Sequence, residues 1–308
     1  MFSKKLLIPL LSLSLLVTPA YSSHAAENTE AVETSVEGQG MLSPSSSSEN
    51  SESVFNGSGA GTSSEPVTDE KLETILKQVQ SQLPAENGTW AVFISDLVNG
   101  TEGSLNDQKM QAASLIKLYI MGAVYENYDQ ITGQYGRDSV DSNLYSMITV
   151  SDNDAANTLT TYLGGGDSAA GMQAVNSFCQ AHGYGQTHMG RMLLASNEND
   201  DNYTSVGDCG HLLQEIYKQD TSSYTHAADM FNLLKAQTRC NKIPAQLPEG
   251  VKTANKTGEL DNVENDAGII YDSKNDVVIV FMSQNLSSAG SAQNTIATLS
   301  RTIYDYYN

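Results

Sequence analysis

Basic residues are scarce in this sequence: 16 Lys and Arg stand against 36 Asp and Glu among 308 residues, a formal net charge of −20. So acidic a surface repels phosphate backbones and anionic membranes, and neither nucleic acid nor stable membrane insertion is expected. Cysteine is nearly absent, with three in the chain, and no Cys-x-x-Cys pair or other zinc spacing occurs. The five histidines never fall at His-Glu-x-x-His spacing, so no metal site and no cofactor are expected. No internal repeat is found.

The apolar run Leu6 to Val17 is too short for a comfortable membrane span. It follows Lys4 and Lys5 and leads to an A-x-A-like site at Ser23-His24-Ala25, the pattern of a secretory signal peptide over residues 1–25. An uncleaved anchor is the competing reading. No cysteine lies near that site, so no lipid anchor is expected. The expected location is extracytoplasmic, either secreted or associated with the cell surface or wall. No Lys or Arg occurs between Lys5 and Lys71, and residues 26–66 are rich in Ser, Gly and Glu, with serines at every position from Ser45 to Ser48. Such a segment cannot bury enough apolar surface to offset its ordering entropy and reads as a disordered tether. It would hold a domain away from a membrane or pass through a cell wall; a plain spacer explains it equally well.

The chain is long enough for one large single-core domain or two modest ones; residues 67–308 are read as one catalytic domain, and a monomer is expected. Thr68-Asp69-Glu70 reads as a helix start, with Leu72, Ile75, Leu76 and Val79 as its apolar stripe. Trp90 to Leu97 reads as a strand, and Asn99-Gly100 as a hairpin turn leading to a second strand. Leu115 to Val124 is almost wholly apolar and reads as a buried central helix. Helical patterns dominate from Asn143 to Gln237, interrupted by a polar loop at Ala195–Tyr203. Gly268–Tyr271 and Val277–Ser283 read as strands across a turn at Asp272–Asp276, and Ala292–Tyr307 as a closing helix. The order predicts an α+β fold, an antiparallel sheet covered by N- and C-terminal helices with a large helical insert. Cys209 and Cys240 sit at comparable ends of two helical segments and form the candidate disulfide, while Cys179, in the apolar pattern Val175–Ala181, reads as a buried free thiol.

Three short motifs carry chemistry. Ser114-Leu115-Ile116-Lys117 places a hydroxyl and an amine one helical turn apart, on one face. Serine needs such a base to act as a nucleophile, and lysine can serve once burial lowers its pKa. By itself Ser114 would pass for a helix cap. Ser151-Asp152-Asn153 offers a hydroxyl to relay a proton and an amide to hold a substrate carbonyl; helix capping by Ser151 or Asp152 is the bland alternative. Lys256-Thr257-Gly258 reads as a strand edge facing a cleft, supplying positive charge, a hydroxyl and a close backbone approach.

In this order and context the three motifs resemble the signature set of the class A β-lactamases and penicillin-binding proteins. Met147 to Val150 before the second motif, Ala156-Asn157 after it, and the run Gln237 to Pro248 ahead of Lys256 agree with that family. The resemblance spans residues 67–308 and implies a serine acyl hydrolase. Ser114 would be its nucleophile and Lys117 its base, with Ser151 and Lys256 assisting the leaving nitrogen. Asn153 and Thr257 would hold substrate, Gly258 would admit it, and the backbone N–H groups of Ser114 and Glu259 would form the oxyanion hole. The implied substrate is a small β-lactam or a cell-wall peptide.

The sequence also departs from that pattern. Class A enzymes carry a Glu in the loop after the helical insert, two residues beyond an Arg and four before an Asn. Arg191 and Asn197 fit the ends, but the middle position is Leu193. Glu198, beside Asn197, is the carboxylate weighed as a substitute. The stretch from Lys117 to Ser151 is short, Glu259 replaces a small residue, and no Arg or Lys lies between Lys256 and Lys274 to supply a second cation. The resemblance therefore implies a class A-type β-lactamase with slow deacylation. A penicillin-binding D-Ala-D-Ala peptidase or esterase is the alternative, followed by a β-lactam-acylated sensor or binding module.

Overall fold

A computed structural model describes residues 69–219 and 224–308; the leader and tether read from residues 1–25 and 26–66 lie outside them, as do Val67 and Thr68. Helix α1 (Glu70–Gln82) starts where Asp69 accepts the backbone N–H of Lys71 at 3.0 Å, satisfying one of the free donors at a helix start. A hairpin of β1 (Thr89–Asp96) and β2 (Thr101–Leu105) follows. Its turn is held by Asp96, whose carboxylate accepts N–H bonds from Val98 and Asn99, and by Gly100 at φ +69°.

After the short β3 (Met110–Gln111) and a 3₁₀ turn at Ala113–Leu115, helix α2 (Ile116–Glu126) runs through the interior. Every residue from Ile116 to Val124 is buried, as expected of a helix apolar on all sides but for Lys117. Helices α3 (Tyr128–Tyr135), α4 (Arg137–Thr149), α5 (Asn153–Leu163) and α6 (Ser168–Ala181) surround it. A long loop then returns through β4 (Tyr203–Thr204) to α7 (Val206–Lys218) and α8 (Ala227–Lys235). A second 3₁₀ turn, Ile243–Gln246, leads to β5 (Lys252–Leu260), β6 (Val263–Tyr271), β7 (Val277–Gln284) and the closing helix α9 (Ala289–Tyr307).

The main sheet is antiparallel with order β2-β1-β7-β6-β5, so β5 is an edge strand. Both faces are covered, and the strand pleat sorts the side chains. In β7, Val277, Ile279 and Phe281 join α1 and α9 residues such as Ile75 and Ile296 in one core. Val278, Val280 and Met282 turn to the other core, with α2, Leu212 and Leu213. This period-two division is why β7 reads as a continuous apolar run. The α+β architecture expected from the sequence, with terminal helices on one face and a helical insert, is the one observed.

The expected disulfide is not formed. Cys209 is buried in the first turn of α7, against the Tyr119 hydroxyl at 3.4 Å, whereas Cys240 is exposed; all three cysteines are free thiols. Similar positions relative to helix ends carry no information about which elements lie side by side. Burial pushes the Cys179 thiol up to about 12, in keeping with an inert buried thiol.

Candidate active site

Ser114 lies in the 3₁₀ turn ahead of α2, at the junction of the sheet and the helical insert. The turn is anchored from beneath: Asn265 Nδ2 on β6 donates to the carbonyls of Gln111 (2.9 Å) and Ala112 (3.2 Å), and Ala112 N–H donates to Asn202 O (2.9 Å). Ala113 is held at φ +47°, a left-handed conformation that costs energy for a residue with a Cβ. Such strain persists where surrounding contacts impose it.

Lys117 comes around one turn later, fully buried, with its Nζ 3.1 Å from Ser114 Oγ. The same nitrogen lies 2.7 Å from Ser151 O, 2.7 Å from Asn153 Oδ1 and 3.2 Å from Ser151 Oγ. Ser151 O and Asn153 Oδ1 can only accept. An ammonium has three N–H donors for these four neighbours. A neutral amine fits as well: two N–H groups serve the obligate acceptors, and its lone pair is left for a hydroxyl proton. Burial pushes Lys117 down to about 8, opposed by the Asp152 charge and aided by Arg239. So lowered, the amine has a neutral fraction at neutral pH that an ordinary lysine lacks, the form that can accept a proton.

Ser151 also adopts a left-handed backbone, φ +60°, between α4 and α5. Its Oγ sits between two lysines, 3.2 Å from Lys117 Nζ and 2.9 Å from Lys256 Nζ. Asp152 is the cap of α5, accepting from Ala155 N–H at 2.8 Å, so within this motif the capping role falls to Asp152 and leaves Ser151 free to face the lysines. Lys256 is fully buried on β5 and also donates to Thr257 O at 2.7 Å; burial, then Lys117 and Arg239, hold it well below the usual lysine range.

Gly258 shows why β5 needs a glycine here. A Cβ at this position would lie 2.9 Å from Ala112 O and 3.2 Å from Ser114 N, so a side chain would push the strand off the Ser114 turn. The three motifs thus converge on a single site: Ser114, Ser151, Asn153, Thr257 and Glu259 line one cavity of about 120 Å³. Ser114, Asn153 and Glu259 also line an adjoining cleft of about 520 Å³.

Two cations missed in the sequence enter from the connector after α8. Arg239, which lines the smaller cavity, donates to Glu259 Oε2 at 2.8 Å. Lys242, fully buried, lies 3.1 Å from Glu259 Oε1 and 2.6 Å from Glu264. The second cation sought after Lys256 therefore comes from before it. It was one of only 16 basic residues, which was the available signal. The side chain of Glu259, unexpected after Lys-Thr-Gly, is neutralised by this pair. Buried Asp266 ties the connector to β5 and β6 by accepting from Ile243 N–H and Asn255 Nδ2, both at 2.9 Å; burial pushes it up to about 6.

The opposite wall of the cleft is the loop between α6 and β4. Arg191 pairs with Asp201 at 2.7 Å, and Asp201 also accepts from Gln111 Nε2 at 3.0 Å. Asn157 on α5 holds Leu193 at both ends, accepting its N–H at 2.9 Å and donating to its carbonyl at 3.1 Å. Leu193 lines the cleft, with no group able to accept a proton. Glu198 is exposed on the loop, and its neighbour Asn197 is the residue that lines the cleft. Among the described residues no group of three His, Cys, Asp or Glu could hold a metal ion, and no helix is long and apolar enough to cross a membrane.

With this geometry in place, the comparisons with known proteins are informative. The profile of the Beta-lactamase enzyme family matches residues 71–138 and 134–307. The chain belongs to the β-lactamase enzyme family. Solved structures agree at the level of fold. PBP-A superposes with a TM-score of 0.67 at 23% identity, over 76% of this chain and 96% of that one. The β-lactamase of Sphaerobacter thermophilus DSM 20745 gives 0.63 at 22%, over 75% and 95%. The class A β-lactamase of the last common ancestor of Gram-negative bacteria gives 0.65 at 20%, over 76% and 100%. Among curated proteins none matches the chain. Family and fold thus agree with the motifs.

Proposed function

We propose that this β-lactamase-family protein is a serine acyl hydrolase that opens the β-lactam amide through Ser114 and releases the acyl group slowly. The observation that carries the proposal is the position of Lys117 Nζ, 3.1 Å from Ser114 Oγ with both of its obligate acceptors satisfied. Neutral Lys117 takes the Ser114 proton as Oγ attacks the carbonyl carbon. The oxyanion that forms is met by the N–H groups of Ser114 and Glu259. The C–N bond then breaks, and the leaving nitrogen receives a proton through Ser151, which Lys117 and Lys256 flank. Thr257, Asn153 and the guanidinium of Arg239 suit a substrate with an amide and a carboxylate.

Deacylation needs a base to activate water within hydrogen-bond reach of the ester. Leu193 occupies the loop position where class A enzymes have Glu and cannot supply one. That observation favours a second reading, a penicillin-binding peptidase or esterase acting on cell-wall peptides. One relative bears on the choice: a leucine-to-glutamate mutant of PBP-A is an acyl-enzyme complex with penicillin G. The leader pattern at residues 1–25 supports action outside the cytoplasm, where either substrate is met.

Time-resolved intact-protein mass spectrometry with a chromogenic cephalosporin tests the proposal. A Ser114 adduct that builds up while colour continues to develop slowly is the expected result. A lasting adduct with a single burst of colour favours the peptidase, and no adduct at all overturns both.

A further inference from the structure

A substrate carboxylate arriving beside Ser114 needs a cation, and most of those nearby are committed elsewhere. Lys256 is fully buried, with its Nζ on Ser151 Oγ at 2.9 Å and on Thr257 O at 2.7 Å. Lys242 is fully buried against Glu264 at 2.6 Å. Among the described residues, Arg239 is the cation that lines the cavity of about 120 Å³ beside Ser114. The connector after α8 fixes its backbone there. Gln237 Nε2 donates to Ile148 O at 2.9 Å, and Thr238 donates to Thr149 O through both its N–H and its Oγ1, each at 3.0 Å.

The guanidinium so delivered is already occupied. Glu259 lines the same cavity, and its Oε2 accepts from Arg239 Nη1 at 2.8 Å while its Oε1 lies 3.1 Å from Lys242 Nζ. One oxygen on each of two cations is a strong mode of holding a carboxylate. Burial alone would raise the Glu259 carboxyl, but Lys242 and Arg239 hold it below the ordinary carboxylate range, so it is an anion at neutral pH. Its side chain is 31% exposed and that of Arg239 43%. In so partly desolvated a place, a second carboxylate at the same guanidinium meets more repulsion than it would in water. With Glu264 on Lys242, it would be the third anion around two cations.

We infer that Glu259 is a specificity-determining residue: its carboxylate occupies Arg239 in the free protein, so that a substrate carboxylate gains the guanidinium only by displacing it, and acyl donors with an uncharged ester or amide at that end are favoured. The inference rests on the acyl-enzyme reading above and narrows it to a substrate class. Setting like charge against like is a general way for a site to reject a ligand. Glu259 then acts twice, its backbone N–H toward the oxyanion and its side chain toward the charge on the substrate.

The test compares benzylpenicillin with its methyl ester, which differ only in that carboxylate. Second-order acylation rates at Ser114 are measured by mass spectrometry, and the ratio of acid to ester is taken on each protein, so that a partial loss of folded material cancels. On the native protein the acid is expected to have at most a twofold advantage; a larger one overturns the inference without any variant. Glu259→Gln, which keeps the shape and the backbone N–H, is expected to raise the ratio about tenfold, the scale of a hydrogen bond to a charged group. A rise of less than twofold overturns the inference, and a purely structural glutamate would slow both compounds alike. The same change made in Arg239→Gln is expected to raise the ratio far less, because the group it frees is gone. An undiminished rise there shows that Arg239 is not what Glu259 withholds, and overturns the inference too. Absence of any adduct from either compound on the native protein overturns the acyl-enzyme reading and this inference with it.

Discussion

On one wall of the cleft, Ser114, Lys117, Ser151 and Lys256 form a chain of contacts between 2.9 and 3.2 Å, with both lysines buried. On the other wall, Leu193 and Leu194 face the same space, held by Asn157 and by the Arg191–Asp201 pair. The loop wall is as firmly fixed as the Ser114 wall, yet neither leucine that it turns to the cleft carries a group that can move a proton. Under the proposed function, the difference makes acylation and deacylation separable equipment. The first depends on groups that share one short helix and its immediate contacts. The second depends on a single side chain from a distant loop.

The largest effect that could break this comparison is expected from Ser114→Ala. Covalent labelling by a β-lactam probe should vanish, and surviving adduct would place the nucleophile elsewhere. Next comes Lys117→Ala, expected to slow acylation by about 10²- to 10⁴-fold, the usual range for loss of a general base. In the native protein the acylation rate should rise with pH and level off above about 8, where Lys117 loses its proton. The sign for stability follows from the same shift. The folded protein disfavours the lysine proton that the unfolded chain still holds up to about 10.5, so this group's destabilising contribution shrinks as pH rises between those values. A flat pH–rate profile across that window would remove Lys117 from the role of base.

Leu193→Glu sharpens the contrast by equipping the poor wall. Deacylation is expected to accelerate about 10²-fold, read from the adduct lifetime, with little change in the acylation rate. The melting temperature should fall, because Leu193 is only 8% exposed and a carboxylate there is partly desolvated. An unchanged adduct lifetime would show that position 193 does not face the scissile ester. The smallest effect is expected from Asn157→Ala, which removes both side-chain bonds to Leu193 and should cost about 1–3 kcal/mol of stability on thermal unfolding. Acylation should change by less than the Lys117 variant by a wide margin; an equal loss would show that the loop wall also organises the nucleophile.

Much of this site is legible in the chain. Ser114 and Lys117 sit one turn apart whatever surrounds them, and Asp152 caps α5 from within its own motif. The alternation that divides β7 between two cores, and the all-apolar face of α2, are local patterns that fix element type. The Leu193 departure was readable from the spacing of Arg191 and Asn197. What was not readable depends on distant parts meeting. Arg239 and Lys242 reach Glu259 only because the connector after α8 folds against the edge strand. The left-handed backbones at Ala113, Ser151 and Leu194 are imposed by their surroundings against local preference. The cysteine pairing failed for the same reason, since Cys209 turns into the core while Cys240 remains in solvent.

The sequence by itself determined the kind of fold and singled out Ser114 and Lys117 as candidates, because those rest on residue type and short-range periodicity. Only the tertiary structure decided that Arg239 faces the cleft, that Lys117 and Lys256 are buried side by side with Ser151, and that Leu193 and Leu194 line the far wall. Burial and long-range contact set those properties, and neither is a property of any segment alone.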